Sequence, residues 1–304
     1  MIKEEYDFDN MEEYLSTNID LFIAGEPTKE ERSVFLVNLW REKPHLLLTL
    51  DGINRFKYTY TNNSKNIKES SNLDIPIGLP ILLKKLSVKN INLLLDISSL
   101  DHVLIMVLVK QLIKNITPRS LFAIYIRPRQ YLNPPLIEGL LLSEKIHEIK
   151  SVPGFAKREA EEQTLCSFIG FEGIRLKPIL ETANNISKII PIVAFPSGGL
   201  HWFKLTMWHS MDILESETRD VTIYKCFSES IFDAVALLNE LCTQTDGITL
   251  APLGTRPHSV AAAIFATKHP STKIIYDYAI ERENRTKGIS NICVYHLSSF
   301  IEIP

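Results

Sequence analysis

The chain has 304 residues, 45% of them apolar and 23% charged, which is a globular composition with enough residues for two separate cores. A formal net charge of −3 provides no overall basic field, so we expect no direct nucleic-acid binding, although a local basic face stays open. The first ten residues are acidic and unlike a signal peptide, and the most apolar run, residues 103–109, is far shorter than the ~20 residues that span a bilayer, which predicts a cytoplasmic protein without a membrane partner.

The cysteines give no sign of a metal site. No Cys-x-x-Cys pair or Cys/His cluster occurs, so we expect reduced, buried thiols and neither a metal nor a cofactor. The four residues are Cys166, Cys226, Cys242 and Cys293.

The first half of the chain alternates short apolar runs with longer amphipathic segments. Predicted strands lie at residues 21–24, 45–50, 91–95 and 121–126, and predicted helices at 29–41, 78–86 and 101–114. Residues 59–71 are rich in Asn, Ser and Lys and indicate an exposed loop.

The second half repeats the alternation. Predicted strands lie at residues 165–169, 189–195, 221–224, 248–251 and 273–278, with a possible edge strand at 293–297, and predicted helices at 174–184, 202–215, 230–242 and 257–268. Strands that alternate with helices favour an α/β fold whose mostly parallel sheets carry helices on both faces.

The order of signals in residues 18–131 occurs again in residues 163–285. This indicates two tandem Rossmann-like lobes, 1–150 and 151–304, that arose by a divergent internal duplication. A pseudo-dimer of this kind suggests a ligand site between its lobes.

Ligands of open α/β sheets bind at the carboxyl ends of the strands, which selects two turns in the first lobe. Gly25 and Glu26 end one strand and Arg32 follows, with Thr28 and Glu31 spaced as a capping box. Asp96, Ser98 and Ser99 end another strand before a helix. The alternative is a capped helix with a surface Glu–Arg pair at the first turn and a helix cap with a solvated acid at the second.

Two matching turns occur in the second lobe. Gly170, Glu172 and Arg175 follow one strand. Gly254, Thr255, Arg256 and His258 follow another, where a guanidinium and a helix start together favour an anion. A well-capped core helix is the alternative. Tyr276 ends the next strand, and an aromatic ring beside arginines suits a base and a phosphate.

Several of these segments resemble a bacterial family associated with anti-phage defence loci, for which no activity or catalytic residue carries over. Gly254-Thr255-Arg256 is also similar to a turn in tandem CARF-like and SAVED-like sensors, which pair two Rossmann-like lobes around a cyclic oligonucleotide. The segments that carry the family resemblance are Asp20–Ile23 with Glu31-Arg32, Asp96–Ser98, Ser151–Phe155, Gly170–Arg175 and Ala251–Pro257.

Three functions stay open from the sequence. The first is a sensor or regulatory subunit of a defence system that binds a nucleotide or another phosphorylated small molecule and signals to an effector or by self-assembly. The second is a nucleotide- or nucleoside-processing hydrolase or glycosidase that uses Glu172 or Asp96. The third is a structural scaffold, so the sequence leaves enzymatic activity undecided.

Overall fold

The computed structural model describes residues 3–6, 18–28, 30–62, 65–132, 142–157, 161–196, 200–242 and 247–301. The chain divides into two compact units. The first unit comprises residues 1–132 together with 283–304, and the second comprises residues 133–282. In the described part of the chain, no helix is both long and apolar enough to cross a bilayer.

The first unit contains an eight-stranded sheet in the order β1-β17-β7-β6-β2-β3-β4-β5. Its four neighbouring strands β7, β6, β2 and β3 are parallel, and antiparallel strands extend the sheet on both sides. The elements are β1 (Lys3–Tyr6), β2 (Leu21–Gly25), α1 (Glu31–Leu39), β3 (His45–Asp51), β4 (Arg55–Asn62), β5 (Lys65–Asp74), α2 (Ile75–Lys85), β6 (Asn92–Asp96), α3 (His102–Lys110), β7 (Ser120–Tyr131) and β17 (Thr286–His296).

The core of this unit explains why the central strands are continuous apolar runs. Every residue of β2 is buried, and α3 is buried from His102 to Val109, because helices and sheet cover each other. Trp40, at the end of α1, packs its ring 5.3 Å from that of Phe22 in β2.

Two features of the first unit differ from the sequence analysis. The expectation of an exposed loop at residues 59–71 was wrong, because β4 and β5 pair there as antiparallel strands. Phe56 and Tyr58 of β4 are buried at alternate positions, which is the strand period. The strand β17, which contains the edge strand expected in the second lobe, instead pairs with β7 of the first unit. Its residues Ile292–Tyr295 are buried there.

The second unit contains a sheet in the order β12-β11-β10-β14-β15-β9, with β13 also paired to β11, and a separate two-stranded pair of β8 and β16. Its strands are parallel except for β9 and the β8–β16 pair. The elements are β8 (Ser143–Lys145), β9 (Lys150–Ser151), β10 (Gln163–Ile169), α4 (Leu176–Thr182), β11 (Ile186–Ala194), α5 (Leu200–Glu215), β12 (Asp220–Val221), β13 (Tyr224–Cys226), α6 (Ile231–Cys242), β14 (Ile248–Leu253), α7 (Arg256–Lys268), β15 (Lys273–Tyr276) and β16 (Ile280–Glu281).

Each unit has the same order in its parallel core. In the first, β2 is followed by β3 on one side and then by β6 and β7 on the other. In the second, β10 is followed by β11 on one side and then by β14 and β15 on the other. The strand order reverses once in each sheet, between β2 and β6 in the first and between β10 and β14 in the second. We call these positions the switch points. Open α/β sheets bind ligands at the carboxyl ends of the strands beside such a point. The mixed α/β class with parallel strands is confirmed, whereas duplication stays a prediction.

Candidate functional site

In the first unit, the switch point between β2 and β6 is closed by hydrogen bonds. The backbone N–H of Gly25 donates to Ser99 Oγ at 2.9 Å, and Ser99 Oγ donates to the buried Asp96 carboxylate at 2.6 Å. The other oxygen of Asp96 accepts from the N–H of Ser98 at 2.8 Å, and Ser98 Oγ accepts from the N–H of Ile126 at 2.7 Å. The predicted residues therefore meet, and they bind one another and the backbone.

Arg32 lies in a buried ion-pair cluster at the start of α1. Its Nε is 2.7 Å from Glu30 Oε2, and Nε of Arg285 is 2.9 Å from the other oxygen of the same carboxylate. Burial acts to lower the pKa of Arg32. The charge of the Glu30 carboxylate, together with smaller contributions, outweighs the effect of burial, so the pKa is raised. The cluster explains why a guanidinium that is only 2% exposed remains charged.

The remaining prediction for this turn needs one correction. The expected capping box of Thr28 and Glu31 is absent, because α1 begins at Glu31 with Glu30 at the N-cap and no side-chain capping bond. The hydroxyl of Thr28 instead lies 2.9 Å from that of Ser33. Glu26 is exposed and accepts a hydrogen bond from Thr59 at 3.2 Å.

In the second unit, the ends of β10 and β14 lie against each other. A Cβ atom on Gly170 would stand 2.9 Å from the carbonyl oxygen of Leu253 and 3.4 Å from Cα of Gly254. Only glycine lets the two strand ends approach this closely. The turns that carry Glu172 and Arg256 therefore emerge side by side at the same edge of the sheet.

His258 fixes the first turn of α7. The N–H of Thr255 donates to His258 Nδ1 at 3.4 Å, so Nε2 carries the proton and donates to the carbonyl of Phe227 at 3.1 Å. The ring also stacks on Phe168 with centroids 4.5 Å apart. Burial lowers the pKa of His258, the hydrogen bond to Phe227 opposes this, and the result is a pKa of about 4. The imidazole is therefore neutral at pH 7.

Arg256 itself pairs with a partly exposed carboxylate. Its Nη2 lies 3.2 Å and 3.3 Å from the two oxygens of Glu281 in β16. The side chain of Arg256 is 9% exposed and that of Glu281 is 36% exposed, so solvent reaches the pair from the side of the carboxylate.

Arg175 and Tyr276 meet in a more deeply buried cluster. Nε and Nη2 of Arg175 are 2.7 Å and 2.6 Å from the two oxygens of Asp277, in a bidentate pair. Nη2 also lies 3.3 Å from the hydroxyl of Tyr276. Burial acts to lower the pKa of Arg175, but Asp277, Tyr276 and Glu172 together raise it well above its usual value.

Glu172 holds the strand β8 in place. One oxygen accepts from the N–H groups of Leu142 and Ser143 at 2.7 and 2.8 Å, and the other accepts from Ser143 Oγ at 2.6 Å. Arg175 adds an ion pair at 3.8 Å. The carboxylate is therefore a structural anchor for the β8–β16 pair.

The structure brings Gly170, Glu172, Arg175, Gly254, Thr255, Arg256, His258 and Tyr276 to one edge of the second unit and Gly25, Asp96, Ser98 and Ser99 to the corresponding edge of the first. Their contact with a ligand stays a prediction. Sequence reasoning missed the carboxylates that neutralise the arginines, namely Glu30, Asp277 and Glu281. Asp277 had a local signal, since it stands between Tyr276 and Tyr278 at a strand end.

No group of three or more His, Cys, Asp or Glu side chains within the described ranges is arranged to hold a metal ion.

No protein-family model matches this chain, and no curated protein matches its sequence. Among solved structures, it is similar to Can2 from Sulfobacillus thermosulfidooxidans in complex with cyclic tetra-adenylate, at 12% identity and a TM-score of 0.32. The likeness covers 41% of this chain and 39% of the Can2 chain, well under half of that protein's length.

Proposed function

We propose that this protein is a nucleotide-binding sensor or regulatory subunit of a bacterial anti-phage defence system. The observation that carries the proposal is the pair of Arg256 and Glu281 at the switch point of the second sheet. A nearly buried guanidinium at a helix start here holds a carboxylate that solvent reaches. A ligand phosphate makes the same kind of charge-assisted bond and would replace that carboxylate.

The surroundings of Arg256 support an exchangeable anion. Glu281 belongs to β16, a strand of two residues that pairs only with β8 within the described chain. Solvent reaches the Glu281 carboxylate, which is 36% exposed, and a phosphate with more than one acceptor oxygen can compete with it for the guanidinium. Displacement of Glu281 would loosen the β8–β16 pair, and a loosened surface strand is a signal that an effector or another copy of the chain can detect.

The defence context rests on the sequence resemblance of residues 151–155, 170–175 and 251–257, most of which lie at this edge. The proposed duplication implies a related role for the first unit. There the residues at the equivalent edge are Gly25, Glu26, Arg32, Asp96, Ser98 and Ser99. Hydrogen bonds among Gly25, Asp96 and Ser99 already close that edge, so we place the primary ligand position in the second unit.

A thermal-shift screen tests the proposal with cyclic oligonucleotides, NAD and nucleoside triphosphates. A ligand at 100 times its Kd adds about 2.7 kcal/mol to stability. Arg256→Ala should abolish the shift, and Glu281→Gln should tighten binding because it removes the competing carboxylate. Arg219→Ala is the matched control, since Arg219 pairs with Glu217 between α5 and β12. A ligand that stabilises wild type and Arg256→Ala equally would refute an anion position at Arg256.

Hydrolase or glycosidase activity has less support. Such an enzyme needs a carboxylate directed at a substrate, whereas Glu172 and Asp96 accept hydrogen bonds from the backbone and from Ser143 or Ser99. Mass spectrometry of ligands after incubation would detect any turnover. A pure scaffold would show neither turnover nor a ligand-induced shift, and Arg256→Ala would then leave its assembly unchanged.

A further inference from the structure

Two phenylalanine rings and a lysine form a small cluster at the carboxyl ends of β11 and β13. The rings of Phe195 and Phe203 meet edge to face, with centroids 5.1 Å apart. The ammonium of Lys225 lies 5.3 Å from the centroid of Phe195 and 5.6 Å from that of Phe203. Phe195 is 39% exposed, although it is a large apolar side chain. We call these three residues the aromatic–lysine cluster.

The cluster lies beside the loops that lead to α7. The N–H of Phe195 donates to the carbonyl of Cys226 at 2.8 Å, which joins the ends of the two strands. Ser228 Oγ donates to the carbonyl of Pro196 at 2.6 Å, and the carbonyl of Ser228 accepts from Thr255 Oγ1 at 2.5 Å. Ser228 thus connects the turn after Phe195 to the N-cap of α7, so the cluster and the anion position share one edge of the second unit.

The chemistry of the cluster points to a ligand that is both planar and anionic. An exposed phenyl ring offers a face on which a nucleobase stacks, whichever base it is. The Lys225 ammonium beside the two rings disfavours a wholly apolar partner, because that partner would bury the charge unpaired. A nucleotide satisfies both groups, since its base covers the ring while its phosphate pairs with the ammonium.

We propose that Phe195 is a base-stacking position and Lys225 a phosphate contact in the nucleotide site of the second unit. This inference rests on the proposed nucleotide-binding function and adds a subsite for the base. Phe203 packs edge to face with Phe195 and so restrains the orientation of that ring. None of the three residues lies in a motif that the sequence singled out, because single aromatic and basic residues after strands are too common to stand out.

The test measures the affinities of ATP and of inorganic tripolyphosphate for the full chain by calorimetry. ATP should bind at least about fivefold more tightly than tripolyphosphate, because stacking of a base on an aromatic side chain is worth about 1–3 kcal/mol. Phe195→Leu should remove the preference for ATP and leave the affinity for tripolyphosphate unchanged. Lys225→Met should weaken the binding of both probes several-fold, whereas Lys188→Met, near the amino end of the neighbouring strand β11, should weaken the binding of neither.

The outcomes separate the two proposals. Equal affinity of the two probes, or an ATP preference that survives Phe195→Leu, would overturn the base subsite. If Arg256→Ala changes neither probe while Phe195→Leu removes the preference for ATP, the subsite stands and the anion position at Arg256 falls. If neither probe binds the wild type, both the anion position at Arg256 and the base subsite at Phe195 are contradicted. If Phe195→Leu does not fold, photolabelling of the wild type with 8-azido-ATP decides, because a label outside Phe195–Phe203 and Lys225–Phe227 contradicts the subsite.

Discussion

His258 should make the stability of the second unit fall as the pH drops from neutrality. Its pKa is about 4 in the folded protein, against 6.5 for an ordinary histidine, because burial disfavours the imidazolium. Protonation would also place a second N–H on Nδ1, facing the N–H of Thr255. The folded pKa is depressed, so the unfolded chain takes up the proton first and stability is lost between pH 6.5 and pH 4.

The shift corresponds to about 3 kcal/mol in total, of which roughly 2.5 kcal/mol should be lost between pH 7.5 and pH 4.5. Urea denaturation of wild type and His258→Gln at the two pH values measures it. The variant is less stable at both because it loses the stacking on Phe168, but its pH dependence should be smaller by that amount. Parallel losses in the two proteins would refute the assigned role of His258, as would an NMR titration of His258 near 6.5.

Three further predictions address the switch points and the thiols. Gly25→Ala should destabilise the first unit by about 1–3 kcal/mol in urea, because the added Cβ would lie 2.6 Å from the carbonyl carbon of Ser99; an unchanged midpoint would contradict this close approach. Glu172→Gln should speed hydrogen exchange at Leu142 and Ser143 by weakening two charge-assisted bonds, while Glu181→Gln on α4 should not; protection that persists in Glu172→Gln would count against the anchor. Cys226, whose pKa burial and then Asp233 raise to about 12, should resist iodoacetamide at pH 8 until the protein unfolds; rapid native alkylation would show an accessible thiolate.

The sequence predicts the parallel cores well because their signals are local. Short, mostly apolar runs at residues 21–24, 45–50 and 248–251 become β2, β3 and β14. Thr255 and Pro257 mark the start of α7 within one residue, because a hydroxyl N-cap and an early proline are both specific to helix starts.

The sequence does not predict the partners of the charged residues. Arg175 pairs with Asp277, which is 102 residues away, and β17 joins the first sheet after the whole second unit has intervened. Such contacts depend on strand order, which the apolar pattern leaves undetermined. The β4–β5 pair was missed for a different reason, since its Asn, Ser and Lys residues hid the alternation of Phe56 and Tyr58.

The two switch points solve the same packing problem in chemically different ways. In each, a glycine ends the first strand so that the neighbouring turn can approach, Gly25 against Ser99 and Gly170 against Leu253. In the first unit, hydrogen bonds to the hydroxyl of Ser99 and to the buried carboxylate of Asp96 close the switch point. An incoming phosphate would therefore be repelled by the charge of Asp96. The second is closed by ion pairs with side chains from distant strands, and one of these, with Glu281, reaches solvent. An anion can exchange with a carboxylate that another strand supplies far more readily than with one fixed in the turn itself. If the two units share an ancestor, this difference predicts that ligand binding persists in the second unit and that the first has become structural.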